Sequence, residues 1–127
     1  MAANPAFATT PRIGVGQVTA ANANRDGTGT IATILTGVAA GTRINEIVVQ
    51  ATVTTTAGIV RIYLHDGTNT RLFDEFPVPA ITASGSAAAY RVSKTYDNLV
   101  LPSASWSIRA STVQAEVSNV IVFGADL

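Results

Sequence analysis

Apolar residues fall at every second position through the middle of the chain. From Gly58 to Asp66, Val60, Ile62 and Leu64 share one side, while Arg61, Tyr63 and His65 share the other. A period of two is that of a strand with one face in a core. The run before it sets Ile47, Val49, Ala51 and Val53 against Glu46, Val48, Gln50 and Thr52. Ile44 falls in the register of Glu46, which predicts a bulge near Asn45. After it, Leu72, Asp74 and Phe76 oppose Arg71, Phe73 and Glu75. Neither of those sides is clean, so this strand is expected near an edge, and Pro77 and Pro79 end it because proline cannot donate to a ladder. Asp66-Gly67 between two alternating runs is a hairpin signal. Arg43 to Phe76 therefore reads as a three-stranded antiparallel meander around which the rest of the chain is organised.

Further strands are expected on either side of it. Arg12 to Thr19 alternates, and its Gly14 and Gly16 indicate close backbone approach or a bulge. Ala20 to Gly29 is a polar loop of Asx-turn residues, and Thr30 to Thr36 is rich in threonine and β-branched residues. Ala87 to Thr95 predicts a strand, Tyr96-Asp97-Asn98 a turn, and Leu99 to Leu101 a short apolar segment closed by Pro102. From Ser105 to Ser111, Trp106, Ile108 and Ala110 form the core side. Ala115 to Gly124 is apolar on both sides, as in a central strand or one covered on both faces. No stretch sustains a helical period. About eight short strands with regular turn signals predict an all-β, single-domain antiparallel β-sandwich, with a jelly roll preferred over other Greek-key sandwiches. The sandwich is placed at residues 12–127. Residues 1–11, broken by Pro5 and Pro11, are expected either as a frayed tail or as an extended N-terminal arm with Phe7 as its anchor, a candidate partner contact.

Charge sharpens this picture. Charged residues make up 13% of the 127 and the net charge is zero, against roughly 25% charged in ordinary domains. Without a basic run, nucleic-acid binding through many phosphate contacts is not expected. A surface this neutral favours association, so homo-oligomer contacts are expected. The chain has no cysteine, which removes disulfides and thiolate metal sites. No apolar run reaches bilayer-spanning length, and the start of the chain lacks the basic and apolar regions of a secretory signal.

Little in the sequence speaks for catalysis. The one histidine, His65, adjoins Asp66, but neighbours on a strand face opposite ways. The same holds for Asp74 and Glu75, so they are poor partners for paired-carboxylate chemistry. Asn22, Asn24 and Asp26 echo the start of a calcium loop, yet the twelfth position is Thr33 where glutamate is required. Gly14-Val15-Gly16 lacks the rest of a phosphate-binding fingerprint. No catalytic residue, metal site or cofactor is expected. Arg61, Tyr63 and His65 form a candidate surface recognition stripe, the basis of an alternative reading as a carbohydrate-binding or host-attachment module.

Several segments carry a resemblance when taken together. They are Pro11-Arg12-Ile13-Gly14-Val15-Gly16, Asn24-Arg25-Asp26-Gly27-Thr28-Gly29-Thr30, His65-Asp66-Gly67-Thr68-Asn69, Leu99-Val100-Leu101-Pro102 and the ending from Asn119 to Asp126. In overall pattern the chain resembles small virion-associated proteins of tailed bacteriophages and prophages. The resemblance implies a head decoration (cement) protein or another virion accessory, such as a tail or baseplate component. It implies a β-sandwich or jelly roll, often trimeric, on the capsid surface with the major capsid protein as partner. It carries no functional residue over to this chain.

Overall fold

The computed structural model describes residues 9–127. Pro5 and Phe7 of the expected arm lie outside the described residues. Eight strands follow: β1 (Thr10–Val18), β2 (Ala32–Thr36), β3 (Thr42–Ala51), β4 (Gly58–His65), β5 (Thr70–Val78), β6 (Arg91–Leu101), β7 (Ser107–Thr112) and β8 (Ser118–Asp126). They form two four-stranded antiparallel sheets, ordered β1-β8-β3-β6 and β2-β7-β4-β5. The all-β sandwich expected from the alternation is the fold observed. β1 begins at Thr10, so Pro11 is a strand residue opposite Ala125 and not part of an arm.

The pairing is nested. β4 pairs with β5, β3 with β6, β2 with β7 and β1 with β8. Successive nested pairs alternate between the sheets, as in one long ribbon folded at the β4–β5 turn and rolled up. The expected three-stranded meander is therefore corrected. β4 and β5 form the hairpin, but β3 lies in the opposite sheet between β8 and β6. Residues 52–57 carry the chain from one sheet to the other. Alternation along a strand reports which side is buried; it carries no information about which strand lies alongside.

The core lies between the sheets. Ile44, Ile47, Val49, Val120 and Val122 meet Val60, Ile62, Phe76, Ile108 and Ala110 there. The bulge predicted at Asn45 is present: Ile44 faces Gly124 and Glu46 faces Phe123, so Asn45 has no opposite number on β8. Across the other edge of β3, Ile44 faces Leu99 and Glu46 faces Thr95. Tyr96, Asp97 and Asn98 thus lie opposite Asn45 within β6, where a turn was expected. A second bulge explains the unclean third run. Ile62 faces Asp74 and Tyr63 faces Leu72, which leaves Phe73 as the extra residue on β5. β5 is an edge strand and β8 a central one, as their patterns indicated. Trp106 stands just before β7, half-buried against the core.

The two sides of the sandwich close differently. On one, β1 crosses close over β2: a Cβ at Gly14 would stand 2.4 Å from the Ile34 carbonyl oxygen. Glycine is there because backbone meets backbone. On the other, no backbone–backbone hydrogen bond joins β5 and β6 among the described residues, and side chains of β6 bridge the gap.

Candidate functional site

Three surfaces hold the residues with chemical potential: the outer face of β4, the β5–β6 seam, and the outer face of the β1-β8-β3-β6 sheet.

On β4, Arg61, Tyr63 and His65 do point away from the core, as their alternation requires. The sequence reading that this makes them a surface stripe is corrected. Arg61 is 3% exposed and Tyr63 is 0% exposed. The cover is the β1–β2 connection, residues 19–31, which folds back over this sheet. The Tyr63 hydroxyl donates to the Asn24 carbonyl at 2.8 Å. Arg61 reaches the Asn22 and Asn24 carbonyls at 3.4 and 3.5 Å. Asn22 is buried and organises the loop: its side-chain amide donates to the Thr28 and Thr30 carbonyls at 2.9 and 3.0 Å. Its own N–H donates to Thr112 at 2.8 Å, which anchors the loop on β7. At the far end Gly27 turns with φ of 84° hard against Thr70. The polar loop read from Asn22, Asn24 and Asp26 is thus Asx-turn chemistry, with Asp26 accepting from the Thr28 N–H at 3.1 Å.

Glu75 completes this cluster. Its Oε2 accepts from Arg61 Nε at 2.9 Å and from Arg25 Nε at 2.8 Å. Arg61 and Glu75 are register partners on β4 and β5. Hydrogen bonds from Arg25, then Arg61, hold the Glu75 carboxyl below its ordinary range. His65 is half-buried with Nδ1 2.8 Å from the Thr70 hydroxyl. Nothing here converges on an open space; the cluster clamps a loop onto a sheet.

At the seam, Lys94 Nζ donates to Asp74 Oδ1 and to the Glu75 carbonyl, each at 3.0 Å, and stands 4.7 Å from the centre of the Phe76 ring. The Tyr96 hydroxyl donates to Asp74 Oδ2 at 2.8 Å. The Tyr96 ring lies against Phe73, with centroids 5.4 Å apart. Burial opposes ionisation of Asp74, but hydrogen bonds from Lys94, Tyr96 and the Glu75 N–H outweigh it and leave the carboxyl below its ordinary range. Tyr96 is pushed well above its ordinary range, first by burial and then by Asp74. Among the described residues no three His, Asp or Glu side chains gather as metal ligands would.

The third surface is a regular grid. Register places Pro11, Ala125, Arg43 and Val100 in one row across β1, β8, β3 and β6, and Ile13, Phe123, Glu46 and Thr95 in the next. Val15, Ile121, Val48 and Ser93 follow. Ile13 and Val15 are each 60% exposed and Phe123 38%. These residues point away from the core; Val48 is itself buried at 2% exposure, and the open part of the face lies along β1 and β8. In sequence the apolar residues on both sides of β8 marked it as central; that its outer side lies open was not legible from one strand alone.

No family model and no curated protein matches the chain. Among solved structures it is similar to a chain in the structure of infectious bursal disease virus, Gx strain, at 16% identity and a TM-score of 0.37. That match covers 99% of this chain but 36% of the other, so this chain spans about a third of that one's length. A likeness so slight bears on neither family nor function.

Proposed function

We propose that this chain is a structural protein of a tailed-phage virion, a decoration protein that binds the assembled head and stabilises it. We read the nested pairing of its strands as a jelly roll. The observation that carries the proposal is a division of labour on the surface. Arg61, Tyr63, Asp74, Glu75, Lys94 and Tyr96 are committed to clamping a loop and closing a seam, while the β1-β8-β3-β6 sheet presents Ile13, Val15 and Phe123 outward. Such a molecule acts by contact. The resemblance to virion-associated proteins supplies the setting. Binding to the assembled shell and not to its free subunits stabilises the shell by linkage, and repetition over the lattice multiplies weak contacts. The N-terminal residues, with Pro5 and Phe7, supply the contact with the major capsid protein.

Mass spectrometry of purified particles from the encoding phage or prophage tests this. The expected result is this chain in many copies per head, with heads lacking it disrupting at lower temperature. Its absence from purified particles overturns the proposal.

A further inference from the structure

We infer that the outer face of the β1-β8-β3-β6 sheet pairs with the same face of a second copy about a twofold axis perpendicular to the strands. Two observations carry this. The first is an asymmetry between the sheets. The outer face of β4 is sealed by residues 19–31, whereas Ile13, Val15 and Phe123 stand open at 60%, 60% and 38%. An apolar sheet face of this kind marks an interaction surface.

The second is that the face is complementary to itself in charge. Arg43 and Glu46 point outward from the same strand in adjacent rows, brought there by the bulge at Asn45. Neither forms an ion pair among the described residues. A twofold axis between these rows keeps each strand over its own copy and exchanges the rows. Arg43 then meets Glu46 of the second copy, and Glu46 meets its Arg43. Phe123 falls over Ala125 and Ile13 over Pro11, large against small. An isologous interface has this property, each contact occurring twice. Four strands and three rows span about 15 by 14 Å. That is small against roughly 800 Å² per partner in a standard interface, so the pair is weak and concentration-dependent.

Sedimentation equilibrium of the purified full chain, from about 5 to 500 μM, brackets the weak range. The expected result is a monomer–dimer equilibrium that weakens at least tenfold in Phe123→Asp. Glu46→Arg alone leaves only cations facing each other, and Arg43→Glu alone leaves only anions. Each is expected to be monomeric, yet their equimolar mixture to dimerise, since every cation then meets a carboxylate. The double exchange R43E/E46R restores self-association to within about threefold of the parent. Circular dichroism of each variant confirms that it is folded. A monomer throughout the range, a trimer, or charge variants that associate like the parent overturn the inference. The measurement contains no particles, so its failure is distinct from failure of the virion role.

Discussion

The Tyr63 hydroxyl donates to the Asn24 carbonyl across 2.8 Å and ties a strand to a loop almost forty residues away in the chain. Ser111 adds its hydroxyl to Tyr63 at 3.4 Å. Tyr63→Phe keeps the ring but removes the hydroxyl that donates to Asn24 and accepts from Ser111, so it is expected to cost about 1–3 kcal/mol, as when buried partners are left unsatisfied. Hydrogen exchange should report more than the global loss. The Asn22 amide, bonded to Thr112, should lose protection before the β3 and β8 amides do.

Arg61 and Arg25 share one carboxylate oxygen but differ in worth. The Arg61 side chain is almost fully buried and that of Arg25 mostly exposed. Glu75→Ala strands the buried guanidinium of Arg61 and is expected to cost clearly more than loss of Arg25 does. Arg25→Ala should cost below about 1 kcal/mol, as for exposed pairs. Urea denaturation of the two variants tests the ordering, and equal losses would contradict it.

Two glycines offer a matched contrast. A Cβ at Gly14 meets the backbone of Ile34, whereas nothing lies within 4 Å of one at Gly85. Gly14→Ala is expected to force β1 from β2 and destabilise by about 1–3 kcal/mol. Gly85→Ala should be neutral or stabilising by up to about 1 kcal/mol, through the unfolded chain. Thermal unfolding of both reads the difference directly.

The seam makes stability depend on pH at both ends. Asp74 and Glu75 have lowered pKa values in the folded chain, so their stabilisation is present above the ordinary carboxylate values of 3.8 and 4.5 and is lost as pH falls through the folded ones. Tyr96 is raised, so its contribution is present below the ordinary phenol value of 10.0 and is lost as pH rises beyond it. Stability against urea should therefore be flat between these limits and fall on each side. Asp74→Asn should flatten part of the acid limb, and Tyr96→Phe part of the alkaline limb. An unchanged alkaline limb in Tyr96→Phe would count against this assignment.

Alternation made much of the fold legible, and its limits are equally physical. The break of parity between Ile44 and Glu46 located a bulge that is present at Asn45. Gly14 and Gly16 marked a close backbone approach or a bulge; where β1 crosses β2, a Cβ at Gly14 would meet the Ile34 backbone and one at Gly16 the Ile34 side chain. Arg61 and Tyr63, however, looked exposed because polar residues on the outward side of a strand usually meet water. Their cover comes from a distant loop, and no local pattern announces it. Tyr96-Asp97-Asn98 has turn-forming composition but sits in a bulge, where the same backbone freedom serves a different end. Trp106 alternates with Ile108 and Ala110, yet stands one residue before β7 and is only half-buried.

Nested pairing also dictates an order of events at the ribosome. The β4–β5 hairpin can close as soon as Val78 emerges, because its halves are separated by four residues. β3, β2 and β1 each wait for a mate made progressively later, and β1 waits for Ser118–Asp126. Long loop closures slow assembly, and unmated strands invite aggregation meanwhile. Nascent chains that expose no more than residues 1–90 should resist proteases only at the hairpin, and full resistance should come only when Ser118–Asp126 is released.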